Sequence, residues 1–257
     1  GGSSFQTTQF NRVVNTSRQL GRMFSPFVVA FALRRGFHLF EPLALEYPFV
    51  GDEKNKTTLF DAFFGSPFLT LTDLSYTIGY DSISKFSRKF GFKADKKRSL
   101  QPVVGEEKAT PWQLARAYSV FFNEGYLVSS SLIKRVENKN GFVLYKEKKP
   151  KKKRLLRGEN LEGVKYLLSN FLKNYKTTTR VVGGFSSLTQ DQQNFWFCLG
   201  SRQQTSLLWI GSEKGKMSLN TKRINLHKLA FKMLEKTFLQ KKLAKIQKTH
   251  HRYQSTL

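Results

Sequence analysis

Apolar positions along the chain fall into short blocks, helical in spacing over the first two thirds and extended near the end. Phe27 to Leu33 is an unbroken apolar run behind Ser25-Pro26, and it closes in Arg34-Arg35-Gly36. Proline in a first turn, basic residues in a last turn and glycine just after are the marks of a helix. The pattern predicts further helices from Thr58 to about Phe64 and from about Leu71 to Ile78, the second closed by Gly79. Asp81-Ser82 is read as the cap of a fourth, with Ile83, Phe86 and Phe90 on one face and Gly91 as its stop. Thr110-Pro111 opens a helix whose apolar side carries Leu114, Ala117, Tyr118, Phe121 and Phe122, and Asn123-Glu124-Gly125 ends it. Leu161 to Tyr175 is another amphipathic helix, and a last one is predicted over about Asn225 to Lys248.

Extended runs cluster late. Phe195 to Leu199 and Ser206 to Ile210, joined by the turn-like segment 200–204, predict an antiparallel hairpin in a covered sheet. Helices first and a sheet assembled mainly from the last third define an α+β class. The expected domain spans 1–248, helical over about 22–125 and sheet-forming over about 126–248, with a basic and polar tail at 249–257. No internal repeat is present.

Composition changes this picture in two respects. Lys and Arg number 44 against 18 Asp and Glu, a formal charge of +26, so the chain attracts polyanions such as anionic lipid headgroups, wall polymers or nucleic acid. Phe numbers 24 against 9 Tyr and 3 Trp; without a polar handle, Phe reads as core material more than as a base-stacking surface. The single cysteine excludes a disulfide framework and a cysteine-based zinc site. Cys198, inside an apolar strand, reads as an inert buried thiol. No carboxylate or cysteine stands at metal spacing from His38, His227, His250 or His251. His38 and His227 therefore read as packing residues on helices, and no metal or cofactor is expected. Gly183-Gly184 lacks a phosphate-binding context. The basic run 148–154 reads as a solvated loop, and no aromatic residues interleave with it to stack bases.

Several segments, taken together, follow the motif order of one known family. Gly1 to Leu33, "GGSSFQTTQFNRVVNTSRQLGRMFSPFVVAFAL", is similar to the family's G-G-x-x-F…F-N-R-A…R-Q-P-G-S-x-F-K-P-F opening. Thr58 to Phe63 with Leu74 and Gly79 resembles its T-L-x-x-A-L stretch, and Lys108 to Tyr145 its T-P-L-x-L-A-x-A-Y segment and following hairpin. Gly184 to Gly200 resembles G-K-T-G-T-T…D-x-W-F-x-G-Y, and Leu208 to Gly211 the later V-W-V-G. In this order and spacing the chain resembles the transpeptidase domain of bifunctional, class A penicillin-binding proteins, which implies a penicillin-binding serine-transpeptidase-like fold, an antiparallel sheet flanked by helices beside an all-helical part. It also implies that the family domain's N-terminal strands lie upstream of Gly1, along with a glycosyltransferase domain and a membrane anchor.

The same alignment sets the expectation for chemistry. In the family's S-x-x-K a lysine one helical turn beyond the nucleophilic serine can take or relay its proton; here the tetrad is Arg22-Met23-Phe24-Ser25, with Arg22 at the serine and Ser25 at the lysine. The S-x-N motif becomes Ser66-Pro67-Phe68, keeping Ser66 and replacing the amide by Phe68. The edge-strand K-T-G becomes Phe185-Ser186-Ser187, which removes the cation and the glycine. Neither Ser25 nor Ser17 has a lysine three residues on. The expectation is a catalytically inactive domain, extracytoplasmic and anchored by upstream residues. It would serve as a structural or protein-interaction module with possible contact to peptidoglycan, anionic lipid or wall polymer. The alternative is a DD-transpeptidase or carboxypeptidase with displaced catalytic residues. A third reading, a polyanion- or nucleic-acid-binding protein, finds no RNA- or DNA-binding motif.

Overall fold

The computed structural model describes residues 4, 6, 8–43, 57–65, 69–93, 107–177, 180–189, 191–212, 219 and 225–238. In chain order these form α1 (Arg12–Asn15), β1 (Arg18–Gln19), a 3-10 turn (Gly21–Phe24) and α2 (Ser25–Arg34). There follow α3 (Leu59–Phe64), α4 (Leu69–Thr77), α5 (Tyr80–Ser87), β2 (Lys108–Ala109) and α6 (Pro111–Phe122). The second half gives β3 (Tyr126–Val128), β4 (Arg135–Glu137), β5 (Val143–Lys146), β6 (Lys152–Arg154) and α7 (Glu159–Phe171). Strands β7 (Gly183–Leu188), β8 (Asn194–Gly200) and β9 (Thr205–Gly211) come next, and residues 226–238 form α8.

The apolar run at 27–33 leaves α2 no polar face, and the fold encloses it: every residue from Ser25 to Leu33 is buried. Helices α3, α5 and α7 pack around it. Phe27 is its hub, with ring centroids 5.8 Å from Phe24, 5.1 Å from Phe90, 4.9 Å from Phe92, 5.6 Å from Tyr118 and 5.1 Å from Phe121. Most of these pairs are edge-on or tilted, the arrangement the ring quadrupole favours. The Tyr118 hydroxyl donates to the Met23 carbonyl at 2.9 Å, so the one polar atom in this cluster is satisfied.

Strands β7, β8 and β9 form an antiparallel sheet in that order, with Phe185 opposite Cys198 and Trp196 opposite Trp209. The predicted hairpin is therefore present, and β7 extends it as an edge strand. Side chains alternate across a strand, and β8 uses both faces. Trp196 and Cys198 join the core around α2, whereas Phe195, Phe197 and Leu199 pack with Ala230, Phe231 and Leu234 of α8. The sheet is thus a partition between two apolar layers, as an α+β arrangement requires.

Four expectations are corrected. Helix α5 is capped by Gly79 rather than Asp81-Ser82. Helix α4 runs to Thr77, so a glycine at φ +84° turns the chain directly into Tyr80, and Asp81 lies in the first turn, where its charge suits the helix dipole. The predicted helix at 161–175 starts at Glu159 and tightens to a 3-10 turn over Leu172–Asn174. His38 stands exposed in the segment after α2, not on a helix. Residues 152–154 of the basic run form strand β6, paired with β3, although all three are exposed, as expected of a solvated run. The last helix is described through 238; its predicted extension to Lys248, the tail at 249–257 and His250-His251 lie outside the described residues. Among the described residues no helix is long and apolar enough to cross a membrane.

Because Phe27 touches five rings, Phe27→Ala is expected to lower stability by about 3–5 kcal/mol. Phe142→Ala, at an exposed position, should change it by less than about 0.5 kcal/mol. Urea unfolding followed by circular dichroism measures both.

Candidate functional site

Three segments widely separated in sequence meet where the 3-10 turn enters α2. Gly21, at φ +55°, supplies a left-handed backbone at the turn. A Cβ there would lie 2.6 Å from the Ser187 Oγ, so β7 approaches the turn closely. The next backbone N–H, that of Arg22, donates to the Ser187 Oγ at 2.8 Å. The Arg22 guanidinium reaches the other way, donating to the Phe63 carbonyl and, at 3.4 Å, to the Ala62 carbonyl.

Those two carbonyls belong to the last turn of α3, where helical C=O groups lack intrahelical partners and the dipole favours a cation. The other end of α3 is fixed by a capping box, in which the Thr58 Oγ1 accepts from the Asp61 N–H at 3.1 Å and the Asp61 carboxylate accepts from the Thr58 N–H at 3.2 Å. Arg22 therefore ties α3, α2 and β7 together. Burial lowers its pKa from the usual arginine value. Its Nε is buried without a hydrogen-bond partner among the described residues.

Phe185 fills the neighbouring space. Its ring lies 4.6 Å from that of Phe63 and 5.7 Å from that of Phe171. Ser25 is fully buried at the start of α2, with its Oγ unpartnered among the described residues. The structure thus brings Arg22, Phe185 and Ser187 to one place, with Ser25 one turn along. Ser66 and Phe68, just past the end of α3, lie outside the described residues.

Ser186 is on the opposite face of β7 from its two neighbours. Its Oγ lies 3.0 Å from the Nδ1 of His227 on α8. The imidazole packs edge-on against Phe195, centroids 5.0 Å apart, and this packing lowers its pKa from the usual value. His227 lies on a helix, as read from the sequence, and its ring rests against Phe195, but the residue is exposed and the hydrogen bond was missed. The alternation of β7 and the apolar stripe Leu226, Ala230, Leu234 were legible; that α8 lies across β7 at Ser186 was not. Burial raises the Cys198 thiol far above its ordinary pKa, so it stays an inert thiol.

Chemically, the assembled groups are one cation, two hydroxyls, backbone carbonyls and ring faces. Among the described residues no carboxylate, imidazole or amine is hydrogen-bonded to the side chains of Arg22, Ser25 or Ser187. No cluster of three or more His, Cys, Asp or Glu side chains is present among them either.

Residues 4–185 match the family described as the penicillin binding protein transpeptidase domain. The chain is 32% identical over 168 residues to penicillin-binding protein 1A of Pseudomonas aeruginosa, covering 59% of this chain and 20% of that protein. It is 27% identical over 248 residues to penicillin-binding protein 1A of Neisseria meningitidis, covering 84% of this chain and 30% of that protein. The fold is similar to that of penicillin-binding protein 1A from Haemophilus influenzae, with a TM-score of 0.65 and 19% identity over 85% of this chain and 42% of that one. It is also similar to penicillin-binding protein A from Mycobacterium tuberculosis, solved as an imipenem acyl-enzyme complex, with a TM-score of 0.62 and 14% identity over 84% of this chain and 60% of that one. The chain thus spans well under half the length of its curated relatives.

Two measurements check this geometry. Ser187→Ala leaves the Arg22 N–H without its acceptor and is expected to cost about 1–3 kcal/mol in urea unfolding. For His227, packing makes protonation less favourable in the folded chain than in the unfolded one. Its contribution to stability is therefore complete above the ordinary imidazole pKa of about 6.5 and is lost as pH falls through the lower folded value. Thermal melts should show the advantage of wild type over His227→Gln shrinking between about pH 7.5 and about pH 5.

Proposed function

The chain belongs to the penicillin-binding protein transpeptidase family, and from that premise we propose that it is a catalytically silent member, retained as a structural or protein-interaction module. The observation that carries this reading is Arg22. At the position aligned with the nucleophilic serine stands a side chain that has no nucleophilic oxygen and whose guanidinium is engaged with the carbonyls of Ala62 and Phe63. Guanidinium also stays protonated at neutral pH, so it cannot serve as a base.

The surroundings support the same reading. A serine in such a family needs a neighbouring base to become a nucleophile. Ser25, aligned with the lysine, is neutral and enclosed, and Phe185 replaces the edge-strand cation with a ring packed on Phe63. A backbone N–H at the head of a helix is the kind of donor that stabilises a developing oxyanion. The Arg22 N–H donates instead to the Ser187 Oγ. Loss of several members of a catalytic unit costs orders of magnitude in rate.

Its partner would be a protein of the cell envelope, with peptidoglycan as a further contact. Its location would be extracytoplasmic. Family membership is what supports both.

A second reading, an acyl-serine enzyme with displaced residues, draws on Ser186, whose Oγ faces an imidazole. Against it, Ser186 lies on the opposite face of β7 from Arg22 and Ser187.

Incubating the folded chain with fluorescent penicillin and measuring intact mass tests both. The expected result is no adduct. A stoichiometric adduct that maps to Ser186, Ser25 or any other single residue overturns the silent reading.

A further inference from the structure

Among the described residues strands β4 and β5 pair with each other alone, as a two-stranded antiparallel ribbon, and all seven of their residues are exposed. A ribbon of this kind is marginal in water on its own, yet this one displays large apolar side chains. Leu132 is 91% exposed, Phe142 69% and Leu144 68%, with Ile133, Val143 and Tyr145 exposed beside them. Phe142 projects at the end of a tight turn fixed by the Asn138 Oδ1, which accepts from the N–H groups of Asn140 and Phe142.

Interleaved with these side chains and continuing into β6 is a dense positive charge. Between residues 134 and 154 ten Lys and Arg stand against Glu137 and Glu147, a local excess of eight. Glu137 is paired with Arg135 in the same ribbon, which leaves the lysines at 146, 148, 149, 151, 152 and 153 exposed as a cationic border. We propose that this ribbon and the adjoining 146–154 segment form a docking surface for an anionic lipid bilayer, with the lysines at the headgroups and Phe142, Leu144, Leu132 and Ile133 entering the interface.

The chemistry favours a bilayer over the other polyanions. Leu132, Ile133 and Leu144 gain free energy at the headgroup–acyl boundary but have no face on which a base can stack, and the rings beside them, Phe142 and Tyr145, also suit that boundary. Eight of the ten cations are lysines, point charges that suit a diffuse anionic surface, whereas base and phosphate recognition favours the arginine fork. A second copy of this chain would bring the same positive excess against itself. The proposal stands independently of whether the site near Arg22 is active.

The test uses the full chain in flotation with phosphatidylcholine vesicles, with and without phosphatidylglycerol, and with a single-stranded oligonucleotide as competitor. Anionic vesicles should bind at least about tenfold more tightly than neutral ones, and binding should weaken with salt. Changing Lys148, Lys149, Lys151, Lys152 and Lys153 to Gln should lower the affinity by about a hundredfold or more. Changing Lys85, Lys89, Lys173, Lys228 and Lys232 instead, the same charge removed elsewhere, should lower it far less. Leu144→Ser with Phe142→Ser should reduce binding about tenfold. A polarity-sensitive dye on Phe142→Cys, attached selectively because Cys198 is buried, should shift to the blue on anionic vesicles. Equal losses from the two lysine sets, an unshifted dye, or binding to the oligonucleotide with none to vesicles would each overturn the proposal.

Discussion

From Ser25 to Leu33, helix α2 is closed off from water, and the other elements are arranged to meet that constraint. A helix apolar all round gains from burial only if walls close on every side. Here the walls come from α3, α5, α6 and α7 and, through Trp196, from the central strand of the sheet. Phe27 in the first turn of the helix is the point on which these walls converge. The sheet must therefore present apolar side chains towards α2, and its other face needs a cover of its own, which α8 supplies.

The entrance to α2 inherits a stricter requirement. The first N–H groups of a helix and the last carbonyls of its neighbour have no partners within their own elements. Arg22 serves both ends of this problem at once: its amide is taken by Ser187 and its side chain by the end of α3. In the aligned family pattern the same corner holds the reacting groups. A corner where three elements already converge can be held by a pinned cation and packed rings as readily as by polar groups that react. Substitution there need not disturb the layers behind it, and family membership and packing can persist while the chemistry at the corner changes.

How much of this was legible in the sequence depended on whether a feature was local. The starts of α2 and α6 followed from Pro26 and from Thr110 with Pro111, because caps act within a few residues. The strands at 195–199 and 206–210 were equally plain from their uninterrupted apolar runs. Arg22, Phe185 and Ser187 could be singled out only through the family's motif order, and their mutual contacts bridge segments that no local rule connects. The cap at Gly79 was misread because Asp81 looks like a cap to any rule that ignores where the preceding helix ends. The bond between Ser186 and His227 was invisible for the same reason, since it depends on how α8 crosses the sheet.

The reach of these contacts also bears on how the chain acquires its shape. The Trp196 Nε1 donates to the Gln19 carbonyl across 177 positions, and the Arg22 amide meets Ser187 across 165. Contacts so distant along the chain close large loops and slow folding. During synthesis the helices around α2 emerge well before the strand that completes their enclosure. Their apolar faces stay open through that interval, in the state most prone to association with other chains. Maturation of this domain is therefore gated by the arrival of its last third.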